Sequence, residues 1–286
     1  MKISRYRNIK NKALYIGVII LSGLTAVPLI AILVKVILKG WRQINFDFFT
    51  QTTPTTLDAI YAINAGEIIP GGIANGIIGM LLMVLMACVI AIPIGIICGI
   101  YLAENTKSHL ASIVRFLTDL LQGIPSIVVG IIIYIWVVIP MKSYSAIAGG
   151  VALSIIMLPL IVRSTEETLK MLPTTLKEAG LSLGASYSSV VFRVILPSAF
   201  GGIFTGILLA VSRVIGETAP LMLTALGSSA VQWDVTKPAS SVSLLIWEFY
   251  NDPNLQNMIW SASLFLLMFI LILNIFAKRI SNKWRI

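Results

Sequence analysis

The sequence predicts an all-α polytopic membrane protein with six transmembrane helices and both termini in the cytoplasm. Three observations lead there. Of its 286 residues 57% are hydrophobic and 12% charged, with mean hydropathy +0.94, whereas a soluble domain is nearer a quarter charged. Several apolar runs reach the roughly 20 residues that a helix needs to cross a bilayer, and they are apolar on every face, as a soluble helical core is not. The basic residues are unevenly shared, fifteen on the side of the termini and five on the other, and the positive-inside tendency then sets the orientation.

Each element follows in order. The basic start MKISRYRNIKNK leads into an apolar run at about 14–38 with no convincing small-residue cleavage site, so it reads as a retained first span rather than a signal peptide. The polar stretch 40–71 is too long for a turn, and PTTLDAIYAI within it reads as a short interfacial helix. The second run, 73–103, exceeds one crossing, so it is tilted or starts outside the lipid. Its Gly95 and Gly99 form a small-xxx-small pair, which means either close helix packing or chance glycine in a tolerant helix. The third run, 113–139, contains LLQGIPSIVVGI, where Gly123 and Pro125 break the helix and predict a bend next to Asp119 and Gln122. The fourth span covers 146–162. In the polar segment 163–193, Thr174 or Thr175 is expected to cap a helix after Pro173, and Gly184 to stop it. The fifth span is expected from Pro197 to about Ala225, a polar outer loop over 227–254, and the sixth span over 257–277 before the tail KRISNKWRI. The chain thus divides into an N-terminal part (1–72), a core (73–277) holding the internal polar segment at about 164–196, and a tail (278–286).

Other function classes find little support. The net charge of +9 is spread along the membrane edges rather than gathered in a patch, which argues against nucleic acid. Cys88 and Cys98 lie in one run, about 15 Å apart along a helix and too far for a disulfide. His109 is the sole histidine and no Cys/His cluster accompanies it, so no metal site is expected. There is no GxxxxGK[ST] loop, and Ser126 in GIPSI is not a nucleophile elbow. No enzyme activity is expected of this chain.

Two charges do stand inside an apolar run. Arg213 and Glu217 occupy the fifth span, and ionisable residues within a membrane segment mark function by default. Arg213 lies about 24 Å along the helix from Pro197, beyond the bilayer midplane. Gly206, Leu209, Ala210, Arg213, Glu217 and Pro220 are expected to share one helical face. The guanidinium fork suits an oxyanion. A plain structural Arg213–Glu217 pair is the alternative, although Arg before Glu is the weaker order on a helix. Pro220 reads as a hinge, because it removes a helix hydrogen bond and restricts Ala219.

The segment EAGLSLGASYSSVVFRVILP, 178–197, resembles the EAA loop of the permease subunits of ABC-type importers. Glu178, Ala179, Gly184, Leu196 and Pro197 match in spacing, while Gly180 replaces the usual second alanine and Val194 an isoleucine. LLQGIPSIVVGI, this loop and GILLAVSRVIGETAPLMLTA, in that order, are similar to the A-type permeases of phosphate (Pst) importers, from about Ala74 to the last span. The resemblance implies a type I ABC importer permease that pairs with a sister permease, two ATPase subunits and an external phosphate-binding protein. It sits in a bacterial or archaeal plasma membrane. ATP and Mg²⁺ belong to the ATPases, and this chain binds no cofactor. Glu178, Ala179, Gly180 and Gly184 become the ATPase-coupling residues. Arg213, Glu217, Thr218, Gln122 and Ser126 become the phosphate pathway. Glu217 then either accepts a hydrogen bond from the proton on hydrogen phosphate, which sulfate lacks, or holds Arg213 when phosphate is absent. A permease for sulfate or molybdate, and a secondary transporter, are the other readings. The latter often shows inverted repeats, and no convincing internal repeat is seen.

Overall fold

A computed structural model describes residues 2–283, and among them the chain is helical nearly throughout; its β structure is an isolated bridge between Leu226 and Ala239. The long first helix, α1 (Lys2–Gly40), leads to two short outer helices, α2 (Phe46–Thr50) and α3 (Thr56–Ala65). Thr55 and Asp58 close a capping box at the start of α3, as the PTTLDAIYAI pattern predicts. Then come α4 (Ala74–Glu104), α5 (His109–Gly123), and α6 (Ser126–Ile133), which continues through a π turn (Tyr134–Val138) into α7 (Ile139–Met141). The internal segment follows α8 (Ala146–Lys170) and consists of α9 (Thr174–Ser182) and α10 (Tyr187–Val190), the latter running through a second π turn (Val191–Ile195) into α11 (Leu196–Ile215). The remainder is α12 (Ala219–Thr224), α13 (Val242–Asn251) and α14 (Gln256–Lys283). Among the described residues five helices are long and apolar enough to cross a membrane, and six spans result if α5 and α6–α7, bent by 103°, count as one.

The core is built on α4 and α8, which run parallel. A Cβ on Gly95 would stand 2.6 Å from Cγ2 of Ile161, and one on Gly99 2.5 Å from Cβ of Thr165. The glycine pair is therefore a packing surface, and the chance alternative is set aside. Met83, Ala87, Ala91, Leu153, Met157 and Ile161 fill the space between the helices. α11 runs antiparallel to α8, and its Ser212 donates to Asn274 of α14 at 3.1 Å. α1 packs mainly on α14, where Ser261 donates to the Gly40 carbonyl at 2.7 Å, and most of its side chains are exposed.

α4 begins among the loop segments after α2 and after α12 rather than among the other long helices. Its Asn75 is buried and donates to the Ser228 carbonyl at 2.7 Å and to Thr53 at 2.9 Å. The expected outer loop at 227–254 is not only loop: α13 lies in it, with Val242, Leu244, Leu245 and Phe249 buried. Its apolar residues were hidden by the polar stretch before them.

Two span boundaries differ from the sequence expectation. The fifth span starts at Tyr187 rather than Pro197, because the π turn carries the helix through the proline. Leu196 N–H bonds the Val191 carbonyl five residues back, which makes room for a ring that would otherwise strike the preceding turn. The same device stands before Pro140, where Ile139 N–H bonds the Tyr134 carbonyl. The span then ends at Ile215 rather than near Ala225, and the chain breaks at Gly216–Glu217–Thr218 before α12. The expected cap also differs: Pro173 occupies the N-cap of α9 and makes no side-chain cap, so neither Thr174 nor Thr175 caps it. Gly184 does stop the helix, at φ +79°, where glycine carries no Cβ penalty.

Candidate functional site

α11 exposes Ser198, Gly202, Thr205, Leu209, Arg213 and Gly216, spaced three and four apart along one face. The expected six-residue face is thus revised. Gly206 and Ala210 are buried toward the chain's own helices, and Glu217 and Pro220 lie beyond the helix end. Arg213 stands in the last turn of α11, where a cation meets the negative end of the helix dipole. Its Nε is 3.9 Å from Oε1 of Glu217, and their side chains are 47% and 17% exposed. That distance is a loose ion pair, and such pairs at exposed sites are worth about 0–1 kcal/mol. The guanidinium is thus held near Glu217 without being saturated by it.

The break carrying Glu217 is fixed from outside α11. Ser243 of α13 donates to the Glu217 carbonyl at 2.7 Å. Thr218, half-buried, is the residue before α12, and Pro220 sits in the first turn of α12 and is buried. A proline there removes no helix hydrogen bond. The break lies at Gly216–Glu217–Thr218, just before Pro220. A Cβ on Gly130 of α6 would stand 2.8 Å from the Pro220 Cα, so α6 and α12 touch through backbone.

The bend at the third span falls where the sequence predicts it, between Gly123 and Ser126. Gln122 is exposed in the last turn of α5 and Ser126 opens α6. Among the described residues neither makes a hydrogen bond to Arg213 or Glu217; the link is the α6–α12 contact. An apolar groove of about 440 Å³, lined by Ile96, Phe192, Phe200 and Phe204, lies across α11 from the Arg213 face and offers nothing to an anion.

On the other side of the spans, α9 carries Glu178, Ala179 and Gly180 and buries no residue. Leu183 is 88% exposed and Met171 82%. A helix that exposes apolar side chains beside charged ones is shaped for a protein partner rather than for solvent alone. A Cβ on Gly180 would be 2.9 Å from Cγ2 of Val190, so glycine in place of the usual alanine lets α10 fold against α9. Lys177 pairs with Glu104 at the end of α4, and its ammonium lies 4.8 Å from the Tyr187 ring centroid. A hollow of about 240 Å³ lies under α9, bordered by Lys170 and Lys177.

Sequence reasoning missed one cluster. Glu166 of α8 is 1% exposed, with Arg115 Nε at 2.7 Å, Lys170 Nζ at 2.6 Å and Arg163 Nη1 at 3.4 Å. Arg163 also pairs with Asp119. The signal was present in the i,i+3 and i,i+4 spacing of Arg163, Glu166 and Lys170, but these charges read as membrane-edge residues. Burial of the carboxylate needed the fold.

Residues 91–286 match the family described as binding-protein-dependent transport system inner membrane component. The chain belongs to this family. Among relatives, this permease is 39% identical over 258 residues to the phosphate transport system permease protein PstA of Yersinia pestis, covering 89% of this chain and 84% of that protein. It is 31% identical to the probable PstA of Methanocaldococcus jannaschii, covering 95% and 93%. A solved structure of the MetNI methionine ABC transporter, inward facing, superposes with a TM-score of 0.62 over 73% of this chain and 94% of that one, at 21% identity. That likeness bears on the fold.

Proposed function

We propose that this chain is a transmembrane permease subunit of an ATP-driven importer of inorganic phosphate. Relatives at 31–39% identity over most of the chain are named phosphate transport system permease proteins. The observation that supports the pathway reading is the exposed face of α11. An arginine 47% exposed in a membrane-spanning helix cannot face lipid, so this face turns to a polar route or to a partner lining one. The sister permease completes that route. Arg213 offers its free donors to phosphate oxygens, and Glu217 and Thr218 stand beside it at the break. Gln122 and Ser126 line the route at the bend.

The α9 segment, with Glu178, Ala179, Gly180 and Gly184, docks on an ATPase subunit that binds ATP and Mg²⁺. Two such subunits and an external phosphate-binding protein complete the assembly. Both termini and α9 then lie in the cytoplasm of a bacterium or archaeon, which accords with the excess of basic residues on that side. Proteoliposomes holding the whole complex test the reading through ATP-driven phosphate uptake. Arg213→Ala is expected to lower uptake by about a hundredfold, the scale of losing one charged contact in a site poor in water, with assembly intact. Uptake equal to wild type would remove Arg213 from the route, and sulfate or molybdate uptake without phosphate uptake would change the substrate.

A further inference from the structure

We propose that Glu166 is a positioning residue of transport. Its buried carboxylate fastens the bent span to the end of α8 that leads into α9, so that displacement of α9 reaches the bend between Gly123 and Ser126. The inference rests on the proposed function of the chain.

Four features carry it. First, Glu166 and Arg115 join neighbouring elements at one end of the bundle. Arg115 of α5 spends its guanidinium on three of them: Nε to Glu166 of α8 at 2.7 Å, Nη2 to the Leu102 carbonyl of α4 at 2.7 Å, and Nη1 to the Thr106 carbonyl of the loop between α4 and α5 at 3.2 Å. Second, α5 is inside out. It exposes Leu110, Ile113, Phe116, Leu117 and Leu120, and it turns Arg115 toward α8. With its larger apolar face turned away from the chain, α5 meets α8 through a small apolar cluster, Ala111 and Val114 with Val162 and Leu158, and through these charges. Third, the fastening is doubled at one-turn spacing, since Asp119 of α5 pairs with Arg163 of α8 one turn beyond the Arg115–Glu166 contact. Fourth, the far end of the cluster is Lys170, the last residue of α8, four positions before α9 begins. Below it lies the hollow under α9, which leaves that helix room to shift.

A push on α9 therefore arrives first at Lys170 and the Lys177–Glu104 tie. Glu166 hands it to Arg115, and Arg115 moves α5 and the end of α4 together. The bend then repositions α6, which touches α12 at Gly130–Pro220, next to the Glu217 break. Replacing Glu166 by an uncharged residue removes the carboxylate that Arg115 and Lys170 pair with, and removing one partner of a buried pair disrupts the arrangement that held it.

The measurement is phosphate taken up per ATP hydrolysed, in proteoliposomes holding the complete complex. Glu166→Gln is expected to assemble, to hydrolyse ATP at close to the wild-type rate and to take up about tenfold less phosphate, within the usual range of coupling energies. Glu166→Asp, which keeps the charge on a shorter arm, should recover part of the ratio. A merely structural residue would lower uptake and hydrolysis together, so an unchanged ratio in Glu166→Gln overturns the proposal. If Glu166→Gln does not assemble, Asp119→Asn decides instead. Asp119 is 52% exposed, and its loss opens only the second fastening; a reduced ratio supports the proposal and a wild-type ratio overturns it. A wild-type complex that hydrolyses ATP without moving phosphate overturns the functional reading and this proposal with it.

Discussion

At the scale of single residues, Arg213 and Glu217 show how a loose contact differs from a lock. The pair is at the outer limit of an ion pair and its arginine is half exposed, so in the proposed function phosphate has one carboxylate to compete with for a guanidinium that has donors to spare. Glu217 is the residue whose role divides the two readings. If it accepts a hydrogen bond from the proton on hydrogen phosphate, Glu217→Gln should narrow phosphate-over-sulfate selectivity by about tenfold in uptake competition, a loss of one hydrogen bond to a charged group. Unchanged selectivity with faster or slower turnover would instead leave Glu217 as the keeper of Arg213. Glu166 makes the contrasting case, because its carboxylate is buried and fully engaged. Both residues are acids three or four positions after an arginine in the sequence, and burial is what separates them.

At the scale of elements, the helices are joined by two kinds of contact. α4 and α8 meet through glycine and small side chains, whereas α5 meets α8 through a small apolar cluster and a set of ion pairs. Gly99→Leu should force the α4–α8 pair apart, because even a Cβ would stand 2.5 Å from Thr165. Overpacking of this kind costs about 1–3 kcal/mol, which thermal unfolding in detergent would show as a lower midpoint. Gly17→Leu on α1 serves as the control, since nothing lies within 4 Å of its Cβ direction, and it should leave the midpoint unchanged. The π turns before Pro140 and Pro197 belong to this scale too. They let two helices run through prolines that, by sequence alone, mark ends.

At the scale of the whole molecule, the candidate pathway face and the α9 segment lie at opposite ends of one helical frame, and α8 with α11 connects them. Docking at α9 predicts that Leu183→Asp weakens ATPase binding by about tenfold or more, as loss of an exposed apolar anchor at an interface does. Leu183 is 88% exposed, so the unfolding midpoint of the isolated chain should not move. Binding of the purified ATPase to the permease in detergent measures this directly. The sequence by itself determined the all-helical membrane class, the bend at Gly123–Pro125 and the stop at Gly184, and it put Arg213 and Glu217 within reach of each other. These depend on composition, on local backbone chemistry and on neighbours four residues apart. Only the tertiary structure decided that the fifth span passes Pro197 and breaks at Gly216, that α13 is buried in the outer loop, and that Arg115 and Arg163 converge on Glu166. Arg115 and Glu166 are 51 positions apart in the chain, and burial, unlike periodicity, is a property of which helices meet.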